Sequence, residues 1–184
     1  MNKNLKQLII VLDSAGGEKS QKYGPQLCFW CAFLYNPFQH CTETSKKIEP
    51  KSRFEVDILH KGIKPKPKRS GLIYSDFEGP NKIFYDGIIR ALDSCMYLVK
   101  KEKIEQLIIV GDCEPVIMQL VGKRRIGELK KFYNQVKHYE SEHRKLGCVI
   151  EYKHIKREQY PLYEEINRIT KDLLQKIKNQ FKIS

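Results

Sequence analysis

The chain has 184 residues, enough for one domain with a substantial core. Its 34 Lys and Arg against 22 Asp and Glu leave a formal charge of +12, an excess that favours polyanionic partners, RNA or DNA ahead of a membrane surface. A lysine-rich, solvated surface is the plainer alternative, and the first apolar run is too short for a signal peptide or a membrane span.

Residues 8–13, LIIVLD, read as a buried strand ending on Asp13, and SAGGEKS then supplies a flexible turn. QLCFWCAFLY, 26–35, is a second buried strand. From 36 to 68 the pattern dissolves into an exposed excursion, with a short strand at FEVDIL and a lysine–proline run that resists helix and sheet alike. The run reads as an ordered polar loop or as a binding arm. SGLIYSDF, 70–77, resumes strand character, and after EGPN the residues Ile88, Ile89, Leu92, Cys95, Met96 and Leu98 give one helix a broad apolar face.

LIIV, 107–110, is the next strand, and it runs directly into Gly111 and Asp112. Pro115, with Glu114 beside it, starts another helix. Asp112 therefore stands at the carboxyl end of a strand, where open α/β sheets keep their ligands, although a lone Asp there also serves as a turn or cap residue. VGKRRIG breaks the helix, with Gly122 and Gly127 framing three basic residues. A polar helix over 128–146, a last strand over 147–155, the loop KREQYP and a helix over 162–181 complete the chain. The last helix turns Ile166, Ile169 and Leu173 or Leu174 inward. Three strands, helix, strand, two helices, strand, helix predict a single α/β domain over 1–184, covered on both faces and interrupted by the excursion.

Six cysteines include one CxxC, Cys28 and Cys31, with no second pair and no metal spacing among the histidines. His40 and Cys41 are the residues that would complete a zinc site with that pair. Reduced, mostly buried thiols in an intracellular, reducing compartment are the simpler reading. It does not distinguish cytoplasm, nucleus or organelle matrix.

The element order, with Asp13 on the first strand and Asp112 on the fourth, resembles the ribonuclease H-like fold. The branch it is most similar to is that of ribonuclease HI and the reverse-transcriptase-like ribonucleases H. GDCEPVIMQLVGKRR follows the family's Gly-Asp-Ser, apolar helix ending in Gln, then Gly and basic residues, with Cys113 in the serine's place. HIKRE, 154–158, has the form of the family's last strand end, and Asn81 matches the polar turn before the first helix. The resemblance covers residues 8 to about 174 and implies a mixed five-stranded sheet flanked by helices.

Family members cut the RNA strand of an RNA–DNA hybrid with two divalent ions, Mg²⁺ or Mn²⁺, held by four carboxylates. The resemblance puts three of these catalytic, metal-binding positions on Asp13, Asp112 and Glu164, with Glu165 an alternative one residue on. Ser14 replaces the usual glycine after the first, and Tyr160 and Tyr163 replace an Asn and an Ala before the last. The family's helix-one Glu falls on Phe84, which cannot ligate a cation. Asp86 could substitute with a displaced helix start and Glu78 with the preceding loop folded back, and Phe84→Glu would restore the count where the remaining carboxylates are in position. The resemblance further assigns backbone contacts to Lys123, Arg124 and Arg125, with Lys130, Lys131 and Asn81 beside them. His154, Arg157 and Glu158 would border the rim, although a histidine at a strand end also serves as a hydrogen-bonded structural residue.

Three functions follow in order of support. The first is a nucleic-acid-binding protein with a degenerate two-metal site. The second is an Mg²⁺-dependent endoribonuclease acting on hybrids, with Asp86 or Glu165 compensating. The third is a structural subunit of a ribonucleoprotein, docked on a protein partner through 36–68. The expected geometry is Asp13 and Asp112 on adjacent strands, close enough to share one ion or a bridging water.

Overall fold

The computed structural model describes residues 6–16, 25–35, 68–76, 79–155 and 161–182. The 36–67 part of the excursion, and with it the zinc reading through His40 and Cys41, lies outside the described residues, as do Glu78, Arg157, Glu158 and Tyr160.

The strands are β1 (Gln7–Ala15), β2 (Pro25–Tyr35), β3 (Arg69–Asp76), β4 (Gln106–Gly111) and β5 (Val149–His154). The helices are α1 (Pro80–Glu102), α2 (Glu114–Leu120), α3 (Lys130–Lys145) and α4 (Pro161–Lys182). They build one five-stranded sheet in the order β3-β2-β1-β4-β5. β1 to β3 pair antiparallel, whereas β4 and β5 join β1 in parallel after helical crossovers.

β1 is apolar on both faces because both are covered. Leu8, Ile10 and Leu12 pack with α1, while Ile9 and Val11 pack with Tyr163 and Ile166 of α4. Each such fully buried aliphatic side chain contributes about 1.5–3 kcal/mol. The same alternation separates Cys28, on the α1 side, from Cys31, on the α4 side. Three residues apart on a strand, the two thiols point to opposite faces and cannot converge on one zinc ion. Cys28, Cys31, Cys95, Cys113 and Cys148 are all free.

α1 begins with Pro80 in its first turn and ends at Lys103, whose φ of 50° is left-handed, with Lys100 and Lys101 in the last turn complementing the helix dipole. Ile83, Phe84, Gly87, Ile88, Ala91, Leu92, Cys95 and Val99 form its buried face at spacings of one, three and four. Gly87 lets the helix approach β1 and β2 closely, since a Cβ there would strike the Cys28 sulfur and press on Leu12. Met96, expected on this face, is half-buried, like Ile89 and Leu98.

α3 is polar as expected and buries only Val136 and His143. His143 shares a 3.0 Å hydrogen bond with the Leu92 carbonyl of α1 through Nε2, and burial lowers its imidazole pKa against the smaller opposing pull of that bond. Lys137 further ties α3 to its neighbours, donating to the Leu120 carbonyl at 3.2 Å and to Glu140 at 2.7 Å, while the Tyr152 hydroxyl of β5 donates to the same carboxylate at 2.7 Å. In α4, Tyr163, Ile166, Thr170 and Leu174 face the sheet, and Ile169 and Leu173 are half-buried at its margin. No helix among the described residues is long and apolar enough to cross a membrane.

Candidate functional site

The parallel register of β1 and β4 pairs Leu12 with Gly111. The next residues, Asp13 and Asp112, therefore stand side by side on adjacent strands as expected, although only β4 stops before its Asp: β1 runs on to Ala15, with Asp13 still paired to Phe29 of β2. Asp13 is fully buried and Asp112 half-buried. Their common neighbour is Tyr163 on the first turn of α4, itself without solvent exposure. Its hydroxyl lies 3.0 Å from Asp13 Oδ1 and 3.0 Å from the Leu12 carbonyl, accepts the Asp112 backbone N–H at 3.3 Å, and bonds the Asp112 side chain as well. Burial first, then the charges of Asp13 and Asp112, drives the phenol well above its ordinary pKa. Tyr163 is thus a neutral hydroxyl whose single proton serves the carboxylates or the carbonyl.

From the opposite face, α1 delivers Phe84 to the same edge. The ring is fully buried and lies against Gly111, where a Cβ would collide with it. Gly111 is needed because the ring slides across the backbone at the end of β4. The position the resemblance gives to a carboxylate is therefore a closed hydrophobic contact.

Around this edge, Cys113 donates its thiol to Asn81 Oδ1 at 3.4 Å. Burial, with Asp112 adding, pushes that thiol up to about 11, so it remains a protonated donor in the place of the family's serine hydroxyl. Asn81 is thereby joined to the Asp112 turn. His154 ends β5 opposite Gly111 and is half-buried. Asp86 stands on α1 between Lys82 and Arg90, which lower its pKa against a larger rise from burial. Its charge, with those of Asp13 and Asp112, bears on Cys28, whose thiol burial drives well above its ordinary value. Glu164 follows the inward-facing Tyr163 and points to solvent. Glu165 is half-buried, and its charge bears on Cys31.

Asp13 and Asp112 are thus brought together, while Glu164, Glu165 and Asp86 do not join them: among the described residues no three Asp, Glu, His or Cys gather as a metal site. A two-ion centre needs hard oxygen ligands converging to about 2.0–2.1 Å on each Mg²⁺. The edge instead presents a phenyl ring at one ligand position and a neutral phenol between the two aspartates. The residues do not fit two ions.

The basic turn lies between α2 and α3. Lys123, Arg124, Arg125, Lys130 and Lys131 are all exposed. Its backbone is pinned: Gly122 adopts φ +76°, and the Lys123 and Arg124 amides both donate to the Met118 carbonyl, at 2.8 and 3.1 Å. Gln119 donates to the Arg125 carbonyl at 3.1 Å while accepting from the Tyr85 hydroxyl of α1 at 2.9 Å. Lys82 adds a cation nearby, 5.1 Å over the Phe132 ring at the start of α3. Tyr85, Lys82 and the Tyr163 clasp were not legible as site residues. Gln119 had a signal in the apolar-Gln helix ending.

A mixed sheet of this order, with helices on both faces and two aspartates at adjacent strand ends, is the ribonuclease H-like fold. Solved structures agree. The N-terminal ribonuclease H domain of Rv2228c from Mycobacterium tuberculosis superposes with a TM-score of 0.61 at 15% identity, over 94% of this chain and 99% of that one. LC11-RNase H1, isolated from compost by a metagenomic approach, superposes with a TM-score of 0.57 at 21% identity, over 91% and 98%. The same LC11 enzyme in complex with an RNA/DNA hybrid gives 0.59 at 17%, over 91% and 99%. The sequence matches no family model and no curated protein.

Proposed function

We propose that this chain binds nucleic acid duplexes, RNA–DNA hybrid foremost, through the basic turn beside the Asp13–Asp112 edge, and that it does not hydrolyse them efficiently. The observation that carries the reading is the pinned turn. Three consecutive exposed cations are held on a backbone fixed by Gln119 and Tyr85, with Lys130 and Lys131 following. Charges held on a fixed backbone meet phosphates at a lower ordering cost than charges on a mobile loop. The +12 charge supports the same partner class, and the LC11 enzyme of this fold has been seen with an RNA/DNA hybrid.

Weak catalysis follows from ligand supply. Two-ion hydrolysis couples activation of water at one ion to stabilisation of the leaving oxygen at the other. With Phe84 closed against Gly111, one ion would lack a carboxylate. A second reading, the Mg²⁺-dependent endoribonuclease, is favoured by one observation, the adjacency of Asp13 and Asp112. It would have to recruit Asp86 or Glu165. The third, a structural subunit docked through 36–68, rests on a segment outside the described residues. For compartment the reading takes a reducing, intracellular one, supported by five free thiols.

The test is the affinity for a labelled hybrid across a salt series. Each phosphate neutralised by the protein contributes about −0.9 to the slope of log affinity against log salt, so engagement of all five cations gives about −4 to −5. A slope near zero would leave the charge as surface solvation and remove the proposal.

A further inference from the structure

We infer that the Tyr163 hydroxyl does in this protein what a bound cation would do at such an edge: it holds the Asp13 and Asp112 ends of β1 and β4 together and closes the space between them to divalent ions. The inference rests on the reading of the site as degenerate and adds the residue that replaces the metal.

Two carboxylates at neighbouring strand ends repel each other, and Asp13 does so without solvent exposure. Such a pair persists where a neutral partner engages both sides. Tyr163 does, reaching both side chains while also accepting the Asp112 amide and approaching the Leu12 carbonyl. One hydroxyl thus touches the backbone of both strands and the side chain of both aspartates. It belongs to a fixed side chain, since the Tyr163 ring packs with Ile9, Val11, Ile108, Val110 and Ile166. A neutral phenol oxygen 3.0 Å from Asp13 Oδ1 is a hydrogen-bond partner in the region where an ion would need both carboxylates at about 2.0–2.1 Å. Helix geometry makes the replacement exclusive: with Tyr163 turned inward, the adjacent Glu164 is turned out.

The experiment uses the full chain and Mn²⁺ as the probe, reading melting temperature in chelator and in Mn²⁺, and bound Mn²⁺ by electron paramagnetic resonance. The natural protein is expected to melt at the same temperature in both and to take up no Mn²⁺ at the edge. Tyr163→Phe keeps the ring and removes only the hydroxyl. It is expected to melt roughly 4–8 °C lower in chelator, because buried polar groups lose their shared partner. It should regain part of that loss in Mn²⁺, and the gain should vanish when Asp13→Asn is added. Tyr163→Ala should show the larger Mn²⁺ response if it folds, and Tyr163→Phe carries the test if it does not. Melting of Tyr163→Phe at the natural temperature, absence of any Mn²⁺ response in it, or Asp13-dependent Mn²⁺ uptake by the natural protein would each overturn the inference. Hybrid affinity, measured on the same samples, separates the two claims. Its absence in the natural protein defeats duplex binding while leaving the clasp standing, and a failed clasp leaves duplex binding standing.

Discussion

Replacing Lys123, Arg124 and Arg125 together with alanine is expected to weaken hybrid binding by more than about tenfold at low salt and to flatten the salt slope by about one unit for every phosphate no longer neutralised. The turn's backbone is held by Gly122, by the Met118 carbonyl and by Gln119. The three side chains themselves are exposed. Their truncation therefore removes charge with little effect on folding. A matched control separates position from net charge. Arg168, Lys171 and Lys176 are exposed on α4, across the sheet from the turn. Their replacement by alanine removes the same charge and should change affinity far less. Equal losses in the two triple variants would mean that only overall charge matters and that no grip exists at the turn.

Phe84→Glu, the substitution that would restore the family's carboxylate count, is expected to cost stability heavily. Phe84 has no solvent exposure and its ring fills the contact with Gly111. Truncating such a buried aromatic costs about 3–5 kcal/mol through the lost transfer energy and the cavity. Glutamate adds an unpaired carboxylate close to Asp13 and Asp112, which burial and like charge both disfavour. The sum is a large share of the roughly 5–15 kcal/mol that holds a typical domain folded. Denaturant titration should show it directly. Because the new carboxyl would have a pKa raised above that of the unfolded chain, the variant should recover part of its deficit as pH falls below that raised value and the group binds its proton. Phe84→Ala, which makes the cavity without the charge, should show no such recovery. Natural stability in Phe84→Glu at neutral pH would mean that the α1 start rearranges to admit a carboxylate, and the endoribonuclease reading would gain.

Much of the fold was legible because it rests on period and punctuation. LIIVLD and LIIVGD are apolar up to their Asp because β1 and β4 are covered on both faces, and the parallel register sets the two Asp side by side, Asp112 just past β4 and Asp13 two residues short of the end of β1. Pro115 marks a helix start where proline costs nothing, whereas α1 already begins at Pro80 and takes in Asn81, which the sequence places in the turn before it. The period of two along β2 already separates Cys28 from Cys31. Strand order was not readable from pattern alone: the resemblance implied a mixed five-stranded sheet with the two Asp strands adjacent, and the structure supplies the order β3-β2-β1-β4-β5. Of the candidate site, Asp13, Asp112 and the basic turn were readable as candidates, because their residue types announce their chemistry. Tyr163 was not, since a tyrosine on the inner face of a helix reads as packing. Its hydroxyl acquires meaning only when three-dimensional register brings residues about 150 positions apart within 3.0 Å. Glu164 failed to join the aspartates for the complementary reason: one step along a helix turns a side chain about 100°.

The most direct test of a duplex-binding protein with a degenerate centre is a single gel experiment. Labelled RNA–DNA hybrid is incubated in Mg²⁺ with enough protein to shift all of it, and intact and cleaved RNA are counted over time. The expected result is a fully shifted hybrid whose RNA strand stays intact, with at most slow cleavage in Mn²⁺. Robust Mg²⁺-dependent turnover that disappears on Asp112→Asn would contradict it.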